Sequence, residues 1–279
     1  MSYKTILVHV DESNRSHLRI QVAAELAIAE NAHLIGTAVT GVSRFIYQDG
    51  NISMGDPNLV IHLNLLRERA EKAISGFNKS MQESGVQSFA SMIANDEAGG
   101  GIGLQARYSD LVVIGQTNND EPSPSVLPDF PEYIIMNSGR PVLIIPYTGD
   151  FTSVAKRPLI SWDASRESTR AVTDAIPLLK RAELVQVAIF NPKSTPDAHG
   201  EQPGADIALY LARHGIKVEV SVHKTSTDIG NAVLSLAHDL DSDLLVMGGY
   251  GHSRFREMIM GGVTRTILKS MTIPVLMSH

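Results

Sequence analysis

Asp241-Ser-Asp-Leu-Leu-Val-Met-Gly248 repeats Tyr108-Ser-Asp-Leu-Val-Val-Ile-Gly115 at a distance of 133 residues. The same shift carries Arg140-Pro-Val-Leu-Ile144 onto Ile273-Pro-Val-Leu-Met277, so the spacing from Gly115 to Pro141 equals that from Gly248 to Pro274. Upstream, Ile6-Leu-Val-His-Val-Asp11-Glu-Ser13 matches Leu159-Ile-Ser-Trp-Asp163-Ala-Ser165 at a shift of 152. The difference of the two shifts gives the first copy about nineteen extra residues between these landmarks. Three separated, colinear matches define two homologous halves. The join is expected at Tyr147–Lys156, which divides the chain into domains 1–150 and 151–279.

Each half alternates short aliphatic runs with helical periodicity. In the first half the expected strands are Thr5–Val10, His33–Val39, Val86–Ile93, Leu111–Ile114 and Val142–Ile145. Between them, Leu18, Val22 and Leu26 fall four apart, and Leu59, Leu63, Leu66, Ala70, Ala73, Phe77 and Met81 alternate three and four apart. The second half reads alike, with strands at Pro158–Trp162, Leu184–Phe190, Ile216–Val222, Leu244–Met247 and Val275–Met277. Helices fall near Glu167–Lys180, Gly204–His214, Ile229–Asp239 and Gly262–Ser270, the first with Pro177 as a point of kinking. Strands separated by helices imply an α/β fold with a mainly parallel sheet covered on both faces.

Composition excludes whole classes of function. The 279 residues include no cysteine, which removes disulfides, thiolate metal sites and cysteine nucleophiles. A net charge of −6, from 24 Lys+Arg against 30 Asp+Glu, opposes a dedicated nucleic-acid binder. The only early apolar run, Ile6-Leu-Val8, is too short for a signal core or a membrane span, so the expected location is cytoplasmic. No G-x4-G-K-[ST], H-E-x-x-H or H-x3-H pattern occurs. His9, within a strand, reads as a satisfied core histidine, Gly101-Ile-Gly103 as a flexible helix start, and Arg67–Lys72 as a solvated helix face.

The segment richest in chemistry is Gly248-Gly-Tyr-Gly251-His-Ser-Arg-Phe-Arg-Glu-Met-Ile-Met-Gly261-Gly262-Val-Thr264. It follows a strand and leads into a helix, whose first N–H groups and dipole suit phosphate, and its glycines let oxygens approach the amides. The bland alternative is a turn whose glycines serve only strand–helix packing.

Gly248-x2-Gly251-x9-Gly261 resembles the nucleotide-binding signature of the universal stress protein family, written G-x2-G-x9-G followed by Ser or Thr. Two tandem copies of the family pattern cover nearly the whole chain, each with a first strand ending in Asp (Asp11, Asp163) and a terminal Pro-Val-Leu strand. The departure is Gly262, which stands where the family carries Ser or Thr, leaving Thr264 and the Gly262 amide to serve phosphate.

The resemblance implies two flavodoxin-like (adenine nucleotide alpha hydrolase-like) domains, each a mainly parallel five-stranded sheet of order 3-2-1-4-5. The crevice between strands 1 and 4 is then the topological switch point where ligands bind. It implies a stress-response or regulatory protein binding ATP, or AMP or ADP, in the second half, with Asp163 and Ala188 at the base. Met247, Gly248, Tyr250, Gly251, His252, Ser253, Gly261, Gly262, Val263 and Thr264 would line ribose and phosphates, and a divalent cation such as magnesium would ride on the phosphates. The family mode also implies internal pairing of the two domains through Val142–Ile145 and Val275–Met277 as a pseudo-dimer, and a homodimer is compatible with it.

No catalytic constellation accompanies these residues. Slow ATP hydrolysis, self-phosphorylation and a ligand-independent scaffold remain the alternatives. In the first half the 133-residue shift puts Asn118, Pro128 and Asp129 at the positions of Gly251, Gly261 and Gly262, so no ATP site of the family kind is expected there. The alternative for that half is a site for another ligand or partner, built from Asn118, the Gly41–Asn58 loop with Phe45 and Tyr47, and the long helix after it.

Overall fold

The computed structural model describes residues 2–42, 57–121, 123, 125–151, 153–192, 202–251 and 262–279. His252, Ser253 and Gly261 of the glycine segment, and Phe45 and Tyr47 of the long first-half loop, lie outside the described residues. The chain divides into two compact units, Ser2–Arg140 and Pro141–His279.

The amino-terminal unit runs β1 (Thr5–His9), α1 (Ser16–Glu30), β2 (His33–Val39), α2 (Pro57–Ser84), β3 (Phe89–Ala94), α3 (Ala98–Ala106), β4 (Leu111–Gly115) and α4 (Phe130–Asn137). Its strands lie in the order β3-β2-β1-β4, and the pairs β1–β2, β2–β3 and β1–β4 are parallel. Side chains alternate across a strand, and β2 shows what each face meets. A Cβ on Gly36 would fall 2.6 Å from the Phe77 ring of α2. Three residues on, Val39 touches the glycine face of α3, where a Cβ on Gly101 would lie 3.2 Å from Val39 and 3.1 Å from Ala94. Helices α2 and α3 therefore cover opposite faces. The Gly101-Ile-Gly103 run lies inside α3, where Gly101 permits close packing on β2 and β3 and Gly103 faces Tyr133 and Ile134 of α4.

The carboxyl-terminal unit adds β5 (Val142–Ile145), β6 (Pro158–Ser161), α5 (Arg166–Leu179), β7 (Val185–Phe190), α6 (Ala205–Arg213), β8 (Val218–His223), α7 (Ile229–Asp239), β9 (Leu244–Gly248), α8 (Gly262–Ser270) and β10 (Val275–Ser278). The order β8-β7-β6-β9-β10 is the expected 3-2-1-4-5, all parallel. One detail differs from five strands in each half. Strand β5 belongs to this unit and pairs antiparallel with β10, Leu143 opposite Leu276. All four residues of β5 are buried, so an unpaired edge here would leave an apolar ladder open. Pro177 sits in the last turn of α5 and is itself buried. Among the described residues no helix is long and apolar enough to cross a membrane.

Candidate functional site

Helix α5 begins with a double capping arrangement. The Ser165 hydroxyl accepts from the Ser168 amide at 3.1 Å, and the Asp163 carboxylate accepts from the Ser165 amide at 3.0 Å. Ser165 is the N-cap of α5, while Asp163 braces the turn before it and remains exposed at the carboxyl end of β6.

Across from it, β9 delivers the glycine loop. Gly248 is glycine for a packing reason, because a Cβ there would meet the Ser168 amide nitrogen at 2.6 Å and the Glu167 carbonyl carbon at 2.7 Å. The loop beyond is pinned on both sides. Gly249 donates to the Ser278 carbonyl at 2.9 Å, and the Tyr250 amide donates to the Thr264 hydroxyl at 3.2 Å. Tyr250, at φ 55°, and Ala164, at φ 60°, both adopt the left-handed conformation that side chains disfavour. Gly262 opens α8, and a Cβ there would meet nothing within 4 Å.

These elements enclose a pocket of about 190 Å³ at the switch point between β6 and β9. The structure brings together Asp163, Met247, Gly248, Tyr250, Gly251, Gly262, Val263 and Thr264 in its lining. Two expectations change. Ala188 is fully buried and does not line the pocket; Phe190, two residues further on the same face of β7, does. Thr264 is 4% exposed, and its oxygen is engaged by the Tyr250 amide, so it holds the loop in shape. Sequence reasoning missed the apolar walls, Trp162, Phe190 and Ile229. Phe190 is steadied by stacking on His223, with ring centroids 5.2 Å apart.

The matching place in the amino-terminal unit is built differently. Asp11 again braces a turn, accepting from the Ser13 amide at 3.1 Å, but Arg19 also donates to it at 2.8 Å. Arg19 is 4% exposed, donates through Nε to the His9 carbonyl at 2.7 Å, and fills the space where a Cβ on Gly115 would lie. The 152-residue shift puts Ala171 at that position in the other half. Burial would raise the Asp11 carboxyl, but the adjacent Arg19 guanidinium and the Ser13 and Arg19 hydrogen bonds outweigh it and hold the group far below the usual carboxylate range.

His9 is a core residue but not a satisfied one. Its Nε2 has no hydrogen-bond partner among the described residues, and burial first, then Arg19, lower its pKa to about 4 against the pull of Asp11. Glu121 turns inward to accept from the Asn14 amide at 2.9 Å, and the pocket it lines with Asp11 and Ser13 measures about 80 Å³. The Arg67–Lys72 face is solvated, all its charged residues being exposed, and from it Arg69 and Lys72 reach Glu12 at 2.6 and 3.4 Å. Among the described residues no cluster of three or more His, Cys, Asp or Glu side chains is placed to hold a metal ion.

A doubly wound parallel domain with a glycine loop and a helix N-terminus at its switch point belongs to the α/β class that receives small ligands in that crevice. Residues 156–279 match the profile of the universal stress protein family. That match assigns a universal stress protein domain to the carboxyl-terminal half. A universal stress protein of Synechocystis sp. is 29% identical over 147 residues, 52% of this chain and 49% of that protein, so the match spans about half the length of the curated relative. The fold of the whole chain is similar to that of a universal stress protein from Archaeoglobus fulgidus DSM 4304, with a TM-score of 0.73 at 16% identity over 98% of this chain and 94% of that one. A functionally unknown protein from Pseudomonas aeruginosa PAO1 shares it at a TM-score of 0.62 and 14% identity, over 98% and 92% of the two chains.

Proposed function

We propose that the chain is a nucleotide-binding stress-response or regulatory protein that holds ATP, or a related adenine nucleotide, in the β6–β9 pocket. The observation that carries this reading is the polarity of the pocket. Its lining combines the apolar Trp162, Phe190, Ile229 and Met247 with Gly248, Gly251 and Gly262, the last at the start of α8. A flat aromatic base suits the apolar side chains, and phosphate oxygens suit the amides at a helix N-terminus. Asp163, exposed in the same lining, is an acceptor for the base or ribose. Two left-handed non-glycine residues at the rim, Ala164 and Tyr250, are strain of the kind that collects at ligand sites. The amino-terminal unit serves as a degenerate second copy, its crevice taken by Arg19.

The test is mass spectrometry of small molecules released from the purified protein, with equilibrium titration of labelled ATP. Adenine nucleotide should be released, and Gly251→Val should weaken ATP binding while the fold survives. A folded Gly251→Val chain with unchanged affinity would remove the phosphate-loop reading. A chain that binds no nucleotide and releases none would favour the scaffold reading.

A further inference from the structure

Helices α3 and α4 lie side by side in the amino-terminal unit and run in the same direction. Near their amino ends, a Cβ on Gly99 of α3 would fall 2.9 Å from the Tyr133 ring of α4. Past their carboxyl ends, the Arg140 guanidinium donates to the Arg107 carbonyl at 2.8 Å.

The outer surface of this pair is apolar along its middle. Leu104, Tyr133 and Met136 are exposed, and Tyr108, just beyond α3, is 75% exposed. Charge divides the same surface by ends. The exposed Glu97 and Asp129 hold the N-cap positions of α3 and α4, and neither makes a side-chain capping bond. The exposed Arg107, with Arg140 beside it, holds the opposite end.

The repeat shows that the fold requires none of this. The 133-residue shift carries Tyr108, Tyr133 and Met136 onto Asp241, Thr266 and Lys269. It carries Glu97, Asp129 and Arg107 onto Gly230, Gly262 and Leu240. The corresponding helices, α7 and α8, form with those residues in place. Tyrosine, methionine and arginine are enriched where protein surfaces meet, and here they gather on one unit and not on its repeat.

The order of the charges selects the partner. Two such faces packed with their helices parallel would set Glu97 against Glu97 and Arg107 against Arg107. Turned about a two-fold axis across the helices, each acidic end meets the other's basic end, the helix dipoles oppose, and the apolar middles coincide. We infer that the occupant of this face is a second copy of the chain, held two-fold and antiparallel through α3 and α4.

Sedimentation equilibrium of the full chain across about 1–100 μM tests this. Wild type should pass from the mass of one chain to that of two. Tyr108→Asp with Tyr133→Thr and Met136→Lys installs the residues that the other half carries in the same fold, and should weaken association about a hundredfold or more. Glu97→Arg and Arg107→Glu should each pair poorly with themselves yet form a heterodimer when mixed, because the reversed ends then match. On the unmodified chain, the Met136 methyl resonance should move with chain concentration. A wild type that stays a single chain at about 100 μM, a triple variant that pairs at wild-type strength, or a static Met136 resonance would overturn the inference. Mixed charge variants that pair no better than either alone would overturn the antiparallel arrangement.

Discussion

Acid should weaken the amino-terminal unit before it weakens anything that Asp11 controls, and His9 sets the size of the effect. In the unfolded chain His9 takes up a proton near pH 6.5, and in the folded unit only near pH 4. Between those values the unfolded state binds more protons, so stability falls as pH falls, beginning near 6.5 and complete near 4. At 1.36 kcal/mol for each pKa unit, the interval is worth about 3 kcal/mol. His9 is 2% exposed, so solvent screening removes little of this. Asp11 acts lower: its folded carboxyl lies below its ordinary value of 3.8, so its contribution is lost only as the pH drops beneath that figure. His9→Phe keeps an aromatic ring against Phe130, 5.1 Å away in the native contact, and removes the titration. Hydrogen exchange read at the β1 and β2 amides isolates this unit from the other half. Wild type should lose about 3 kcal/mol more protection than His9→Phe between pH 7 and 4. Parallel curves for the two proteins would refute the buried, neutral histidine.

Other perturbations separate packing from ligand contact. Gly248→Ala should destabilise the carboxyl-terminal unit by roughly 1–3 kcal/mol in urea unfolding, because the new Cβ meets backbone at 2.6 Å. Gly262→Ala, in open space at a helix start, should leave stability within about 0.5 kcal/mol of wild type or above it. Arg19→Met should cost about 3–5 kcal/mol in the amino-terminal unit, since it strands Asp11 without its cation, and Asp11→Asn in the same chain should recover part of the loss. Gly36→Ala should destabilise through the Phe77 ring, and Phe77→Leu should make that substitution markedly less harmful than it is in wild type.

The architecture was legible because two kinds of signal agreed. The repeat at Gly115 and Gly248 marks the fourth strand of each half, and Asp11 and Asp163 mark the end of the first, so the crevice between those strands could be located without coordinates. Polar lining residues were legible for the same reason. The apolar walls were not: Trp162 and Phe190 sit at strand ends, where a large side chain reads equally as core or as rim. Ala188 and Phe190 share a face of β7, and only the distance along the strand decides which one reaches the pocket. Arg19 was missed because a lone arginine on a helix reads as solvated. The available signal was its alignment with Ala171, a cation against an alanine that is fully buried. Gly248 shows a motif residue answering to packing: its hydrogen is required by the first turn of α5 whatever the loop binds. The resemblance implied that Val142–Ile145 meets Val275–Met277; the grouping of β5 with the carboxyl-terminal unit was not legible, because the Tyr147–Lys156 stretch follows that strand and read as the join.

The asymmetry between a glycine-lined pocket and an arginine-filled one is tested most directly by calorimetric titration of magnesium–ATP into the full chain. One site per chain is expected, strongly weakened by Gly251→Val and left in place by Arg19→Met under conditions where that variant stays folded. Two equivalent sites, or one site that survives Gly251→Val in a folded chain, would contradict the assignment of the nucleotide to the β6–β9 pocket.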